Sequence, residues 1–393
     1  MPWRESTVME ERFRFVTRHL EGESMAALCR EFGISRKTGH KIFARYKEHG
    51  LEALHDQSRR PRRNANRLPL PVESLIVALK REKPHWGARK LHELLAKRLG
   101  PGVPVPVRST IHAVLDRHGL VEHPRERPPR ATGTALSRPA APNDLWCTDF
   151  KGEFRLGNRR WCYPLTVTDQ ASRYLLMCEA LEGTQEPPVF TAFCRLFEER
   201  GLPMAIRSDN GVPFASRGLY GLSRLSVWWL RLGIRLERIR PGRPQQNGAH
   251  ERMHLTLKQE TTRPAAENSL QQQGRFDAFR EEFNTERPHE ALAMKTPAEV
   301  YAPSPRPYTG LPELEYPLHD QDIVVSSSGV IGLCGRPVFI SSVLAGQRLG
   351  LREVEPDVWL VSFMRYDLGY VDLEARTLQT IDNPFGAPPP SPS

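Results

Sequence analysis

The sequence predicts a multidomain chain: N-terminal all-α helix-turn-helix modules, then an α/β core, then a small all-β barrel. Three observations predict it. Apolar residues at helical spacing fill most of the first 121 positions, strand-like runs leading into a helix begin near residue 144, and short β-patterned runs separated by turns recur after residue 316. The length of 393 residues agrees, because one ordinary core takes roughly 100 to 200 residues.

Residues 6 to 49 read as three helices. Met9, Phe13, Val16 and Leu20 recur at spacings of four, three and four, which predicts one apolar helix face. Met25, Leu28, Cys29 and Phe32 supply its partner on a second, short helix that ends at Gly33, where a tight turn can use a positive φ. Ser35 then caps a third helix, with Ile34, Ile42, Phe43 and Tyr46 inward and Arg36, Lys37, His40 and Lys41 outward. A basic exposed face on the last helix of such a trio is the pattern of a DNA-recognition helix. A three-helix bundle with a solvated charged face is the plainer alternative.

The first helix-turn-helix domain therefore covers 1–57. Residues 58–69 (SRRPRRNANRLP) form a basic linker whose Arg59, Arg60, Arg62 and Arg63 can track a DNA backbone. A second helix-turn-helix domain follows over 70–122: helices at 72–82 and 88–99 flank PHWG, and a third begins at 107, capped by Ser109, with Ile111, Val114 and Leu115 on one face. Residues 123–143, rich in Pro and Arg, read as a linker.

From 144 to 300 the texture is that of an α/β core. LWCTDFKG, RWCYPLTVTD and RYLLMCEAL are consecutive strand-like runs, a helix follows over 188–200, and MAIRSD returns to strand, which predicts a mixed sheet covered by helices. Pro-rich residues 301–316 read as a linker, and 317–382 as the barrel, with VFISSVL, RLGLREVE, VWLVSFM and LGYVDLE as strands. The tail 383–393 has the composition of a disordered segment.

Charge points to a polyanionic partner. The net charge is +10, and residues 1–143 alone carry 28 Lys/Arg against 15 Asp/Glu, or +13, which leaves −3 for the rest. Only 10 of the 56 basic residues are Lys; Arg suits phosphate and guanine recognition, although a GC-rich genome gives the same bias. The six cysteines are scattered without a C-x-x-C pair, which excludes a zinc cage and a disulfide framework. No run approaches the ~18 apolar residues of a membrane span, so a cytoplasmic protein with no membrane partner is expected.

Three carboxylates carry the chemistry. Asp149 shares a strand face with Leu145 and Cys147, Asp209 ends the strand MAIRSD ahead of Asn210 and Gly211, and Glu251 lies on a helix opened by Pro244. Two strand positions and a helix supply the hard oxygen ligands that two Mg²⁺ ions about 4 Å apart require, with Mn²⁺ able to substitute. By pattern alone, Asp144, Asp169 or Glu260 could be named equally well.

The series SRKTGHKIFARY, SRRP, WGARKL, WCTDFKG, SDNG, RPQQNGAHER and FNTERPHEALAMKTPAEVY, in this order over roughly residues 20 to 300, resembles the motifs of insertion-sequence DDE transposases with a retroviral-integrase-like core. The resemblance implies a ribonuclease H-like fold for the α/β core. It implies Asp149, Asp209 and Glu251 as the catalytic, metal-binding acids and Lys258 as a DNA-facing residue on the helix of Glu251. It also implies binding of transposon ends and target as double-stranded DNA, a homo-oligomer on DNA, a bacterial, nucleoid-associated location, and 3′ end cleavage with strand transfer. One departure stands out: 41 residues separate Asp209 from Glu251, more than is usual in the family, with SRGLYGLSRLSVWWLRLG as the inserted length.

Two other readings compete. HERMH (250–254) matches the zinc-protease pattern H-E-x-x-H, although a basic DNA-binding front end has no role in proteolysis. A non-catalytic DNA-binding relic or regulator would keep the helical modules without strand transfer; the intact acids speak against it.

Overall fold

The computed structural model describes residues 7–56, 68–100, 102–121, 137, 139–239 and 244–385. The chain divides into two compact units, Met1–Leu70 and Pro71–Ser393. The linker arginines Arg59, Arg60, Arg62 and Arg63, most of the 123–143 segment and most of the 383–393 tail lie outside the described residues.

In the first unit, α1 (Val8–Leu20), α2 (Met25–Glu31) and α3 (Arg36–His49) start at the side-chain caps Thr7, Ser24 and Ser35, each satisfying a backbone N–H that the helix itself leaves free. Phe15, Val16, Leu28, Cys29 and Leu54 form the core. At Gly39 a Cβ would stand 2.5 Å from Cys29 Sγ and 2.9 Å from Phe15 Cζ, so only glycine lets α3 lie this close to its neighbours. The buried face of α1 keeps only part of the expected one: Val16 is buried as expected, but Phe13 and Leu20 are 48% and 58% exposed, and Phe15, outside the expected set, is buried. Arg12, on the inward side, reaches the Leu54 carbonyl at 2.7 Å, and a long side chain thus covers part of the face a hydrophobe was expected to fill.

The second unit opens with α4 (Leu70–Glu82), α5 (Ala88–Arg98) and α6 (Arg108–Arg117), which bury Ile76, Leu79, Leu91, Leu95, Ile111, Val114 and Leu115. Buried Glu73 accepts from Arg117 at 2.7 Å and lies 3.0 Å from His118, tying α4 to the end of α6. Ser109 is not the cap: α6 starts one residue earlier, after Val107, with no side-chain cap bond.

The α/β core holds β1 (Trp146–Phe150), β2 (Phe154–Arg155), β3 (Trp161–Asp169), β4 (Leu175–Leu181), α7 (Glu186–Arg200), β5 (Ala205–Ser208), α8 (Arg224–Arg231), β6 (Arg235–Arg238), α9 (Gly248–Thr261) and α10 (Ser269–Thr285). β4, β3 and β1 pair antiparallel in that order, β5 and β6 then pair parallel beyond β1, and short β2 extends along β3. This is the ribonuclease H-like order. Helices cover both faces: α7 and α8 pack Val189, Phe193, Phe197, Trp228 and Trp229 on one, and α9 and α10 pack Met253, Leu257, Phe276 and Phe283 on the other.

The segment SRGLYGLSRLSVWWLRLG folds as a turn (Leu219–Gly221) followed by α8, whose Leu225, Trp228 and Trp229 enter the sheet core while Val227 and Leu230 join a second core. That second core belongs to the C-terminal sheet: β7 (Gln321–Val324), β8 (Val330–Leu333), β9 (Arg336–Phe339), β10 (Arg348–Glu355), β11 (Val358–Phe363), β12 (Tyr366–Asp372) and β13 (Thr377–Thr380), ordered β7-β10-β11-β12-β13-β9-β8 as a nearly closed barrel. Within VFISSVL the strand stops at Phe339, and Ser342–Leu344 is a helical turn. Residues 301–316, linker-like in composition, run along the core: Tyr301 stacks on Tyr174 at 4.4 Å, and Arg306 donates to the Pro203 and Leu232 carbonyls.

Candidate active site

Strand register sets the first two acids. Trp146 of β1 is paired with Ile206 of the parallel β5, so Asp149 and Asp209, each three residues further on, stand level at the carboxyl ends of neighbouring strands. The Asp209 carboxylate accepts the Gly211 N–H at 3.1 Å, and a Cβ on Gly211 would meet that carboxylate at 2.9 Å, which accounts for the glycine in the turn. Asn210 holds the turn from outside by donating to the Ile239 carbonyl at 2.8 Å.

Glu251 lies in the first turn of α9, exposed, where the helix dipole favours a carboxylate. Its neighbours His250 and His254 are buried against the sheet, and His254 Nδ1 lies 4.0 Å from the Asp149 carboxylate. Their Nε2 atoms lie 2.8 and 2.7 Å from the Thr166 hydroxyl, and His250 Nδ1 lies 2.7 Å from the Thr168 hydroxyl. Thr166 is the β3 partner of Asp149 and donates to its carbonyl at 3.1 Å. Arg207, fully buried and paired with Glu237 at 2.6 Å, donates to the Gln246 carbonyl and so ties β5 to the approach of α9.

The three acids feel one another. Burial pushes the Asp149 carboxyl up to about 7, the charges of Asp209 and Glu251 push the same way, and the Phe150 N–H and Lys151 oppose them. The other candidate acids are occupied elsewhere. Asp144 accepts the Ala140 and Ala141 N–H groups, Asp169 is buried on Asn143 and Ser172, and Glu260 pairs with Arg287 at 2.9 Å.

Among the described residues, no three His, Cys, Asp or Glu side chains stand close enough together to hold one metal ion. The donor set nonetheless fits a hard divalent cation: Asp149, Asp209 and Glu251 offer carboxylate oxygens only, and the charges of Asp209 and Glu251 bear on Asp149. Zinc in the HERMH manner does not fit. Both imidazoles are held on threonine hydroxyls, and His254 turns its other nitrogen, Nδ1, toward the Asp149 carboxylate at 4.0 Å, so zinc ligation would have to break these contacts.

Lys258, half-buried on α9, lies near Lys151, whose ammonium burial, Lys258 and Arg263 hold below the ordinary lysine value. Lys151 escaped the sequence reading although it is the lysine of WCTDFKG, two residues past Asp149. Thr166 escaped it as well, and the histidine pair was read only as the HERMH zinc pattern, not as a contact between α9 and β3. Arg36, Lys37, His40 and Lys41 are exposed on α3, with Arg36 and Lys37 in its first turn.

Residues 139–244 and 232–297 match the integrase core domain family, 11–62 a helix-turn-helix domain family and 38–115 a homeodomain-like domain family. The insertion element IS407 uncharacterized 31.7 kDa protein of Burkholderia multivorans is 30% identical over 233 residues, 58% of this chain and 79% of that protein. The insertion element IS476 uncharacterized 39.2 kDa protein of Xanthomonas euvesicatoria is 28% identical over 295 residues, 72% of this chain and 80% of that protein. Among solved structures, the HTLV-2 integrase catalytic core domain in complex with magnesium is 15% identical, covers 42% of this chain and 100% of its own, and has a TM-score of 0.34, too low to bear on the fold. No described helix is long and apolar enough to cross a membrane.

Proposed function

Because the chain belongs to the insertion-sequence transposases that join an integrase core to N-terminal helix-turn-helix domains, we propose that it binds the terminal inverted repeats of its element and catalyses DNA 3′ end cleavage and strand transfer. The observation that carries this reading is the level placement of Asp149 and Asp209 on adjacent parallel strands, with the charge of Glu251 bearing on Asp149. Asp149, Asp209 and Glu251 would hold two Mg²⁺ ions, replaceable by Mn²⁺. When bound, such ions supply Lewis acidity to the attacking and leaving oxygens of an in-line displacement.

The protein's own groups orient and exclude. The β1–β5 register fixes two acids, the histidine–threonine contacts fix the helix that bears the third, and Lys151 and Lys258 bring positive charge to the DNA side of the site. Arg36, Lys37, His40 and Lys41 on α3 are proposed to read the ends, and Arg59, Arg60, Arg62 and Arg63 to contact phosphates. The division into 1–57, 58–69, 70–122, 123–143, 144–300, 301–316, 317–382 and 383–393, and assembly as a homo-oligomer on DNA, belong to the same proposal.

The test is joining of an end-bearing duplex to a target plasmid in Mg²⁺, expected in the wild-type protein and absent in Asp149→Ala. A non-catalytic DNA-binding relic is favoured by one observation, that the acids do not close on a common point among the described residues. That reading stands if end binding persists while the wild-type protein fails to join ends.

A further inference from the structure

Basic groups from four separate elements converge beside the first turn of α5. Arg89 there pairs with Glu290 at 3.1 Å, which seats Arg89 and Lys90 against the segment following α10. On that wall Arg287 is buried, with its guanidinium 5.8 Å from the ring centres of both Trp86 and Phe283 and bonded to Glu260 of α9 at 2.9 Å. His289 packs on Phe283 with centroids 5.0 Å apart. Asn284 exchanges hydrogen bonds with the backbone of Leu175 at 2.8 and 3.0 Å, fixing beside α10 the turn that carries Arg173. Arg252 of α9 is close enough for its charge to act on both Lys90 and Arg173.

The cluster has unmet capacity. Among the described residues, Arg173 Nη1 and His289 Nε2 are buried without a hydrogen-bond partner. Lys90 is held down to about 8, by burial first and then by Arg287, with Glu260 and Glu290 pulling the other way. Like charges gathered out of water, with donors left open, destabilise a folded protein unless an anion comes to meet them. Arg252 directly follows Glu251 in the first turn of α9, so the cluster and the third acid are carried by the same turn of one helix.

We propose that this junction of α5, α9, the β3–β4 turn and the segment after α10 is a binding site for a backbone phosphodiester of DNA, with Lys90, Arg173 and Arg252 as its charged contacts. The site rests on the DNA-joining reading above and deepens it: the second helix-turn-helix domain and the core together grip the strand that runs to the acids. Guanidinium and ammonium groups suit a phosphate, and a contact to the phosphodiester backbone is independent of sequence.

The full-length protein and its Lys90→Gln, Arg173→Gln double variant are titrated with a random-sequence duplex across a salt series. The double variant is expected to show a log affinity versus log salt slope shallower by roughly 0.9 to 1.8, about 0.9 for each phosphate no longer neutralised. Free of DNA, it should melt at or above the wild-type temperature, because it sheds buried charge. Inorganic phosphate should raise the wild-type melting temperature and leave that of the variant unmoved. An unchanged salt slope, or a DNA-free variant that melts below wild type, overturns the site. Joining assays on wild type and Asp149→Asn separate the two claims: joining that needs Asp149, beside an unchanged slope, removes only this site, whereas a wild-type protein that binds duplex through Lys90 and Arg173 and joins nothing removes the catalytic reading.

Discussion

His254 Nε2 lies 2.7 Å from the Thr166 hydroxyl, the oxygen that His250 Nε2 also reaches at 2.8 Å. Because Thr166 spends its one proton on the Asp149 carbonyl, both imidazoles must donate to it, and Thr168 must donate to His250 Nδ1. Thr166→Val keeps the shape and strands two buried ring donors, a loss of about 2–4 kcal/mol that urea denaturation would measure. A loss below about 0.5 kcal/mol would show that the contacts do not hold α9. In the wild-type protein stripped with chelator, Mg²⁺ or Mn²⁺ should restore joining and Zn²⁺ should not, since the imidazoles are already held by Thr166 and Thr168.

Asp149→Ala, Asp209→Asn and Glu251→Gln should each abolish cleavage and joining while end binding stays near normal. Pairwise combinations should be no worse than single changes, because groups that share one task fail together. Gel assays of end cleavage alongside anisotropy of end binding check both parts; near wild-type joining by any single variant would remove that residue from the set.

The elevated Asp149 carboxyl makes the cation-free protein sensitive to pH. Between the ordinary value of 3.8 and about 7 the folded chain binds the proton more tightly than the unfolded chain. Stability is therefore full at low pH and declines as pH rises through that window, by on the order of 3 kcal/mol. In chelator, Asp149→Asn should gain on wild type as pH rises from 5 to 8, checked by urea midpoints, and added Mg²⁺ should shrink the gap. Parallel curves for the two proteins would contradict the shared field of the acids.

A fragment of residues 1–122 should bind the true ends without the core, since that region supplies most of the positive charge. Replacing Arg59, Arg60, Arg62 and Arg63 by Ala should flatten the salt slope by roughly 0.9 per phosphate released and weaken all sequences alike. Replacing Arg36 and Lys37, exposed at the start of α3, should instead erode preference for the true end over a scrambled one. Anisotropy with both duplexes across a salt series reads the two effects separately.

Local signals carried far in this sequence. Ser35 and Gly33 mark the start of α3 and the turn before it because a cap and a positive φ are properties of single residues. Asp149, Asp209 and Glu251 could be named as candidates because their motifs come in a fixed order along the chain. Phe13 and Leu20 misled because spacing alone does not say which side of α1 is covered: Phe15 and Val16 meet Leu28, Cys29 and Leu54, the last 38 positions beyond Val16. Thr166 and His254 are 88 positions apart, and the packing of α9 on the sheet through Met253 and Leu257 brings them together. The α5–α10 junction was invisible for the same reason: Trp86 and Arg287 look unremarkable until the second helical domain is seated on the core.

Helix α8 has no solvent side to spare: Trp228 and Trp229 belong to the sheet core, and Val227 and Leu230 to the barrel core. A fragment ending near residue 300, the usual way to isolate a catalytic core, would leave Val227, Leu230 and Leu222 facing water and invite aggregation. The smallest well-behaved catalytic fragment of this protein therefore extends through the barrel. A foreign barrel could replace this one only by matching the surface that α8 presents through Val227 and Leu230.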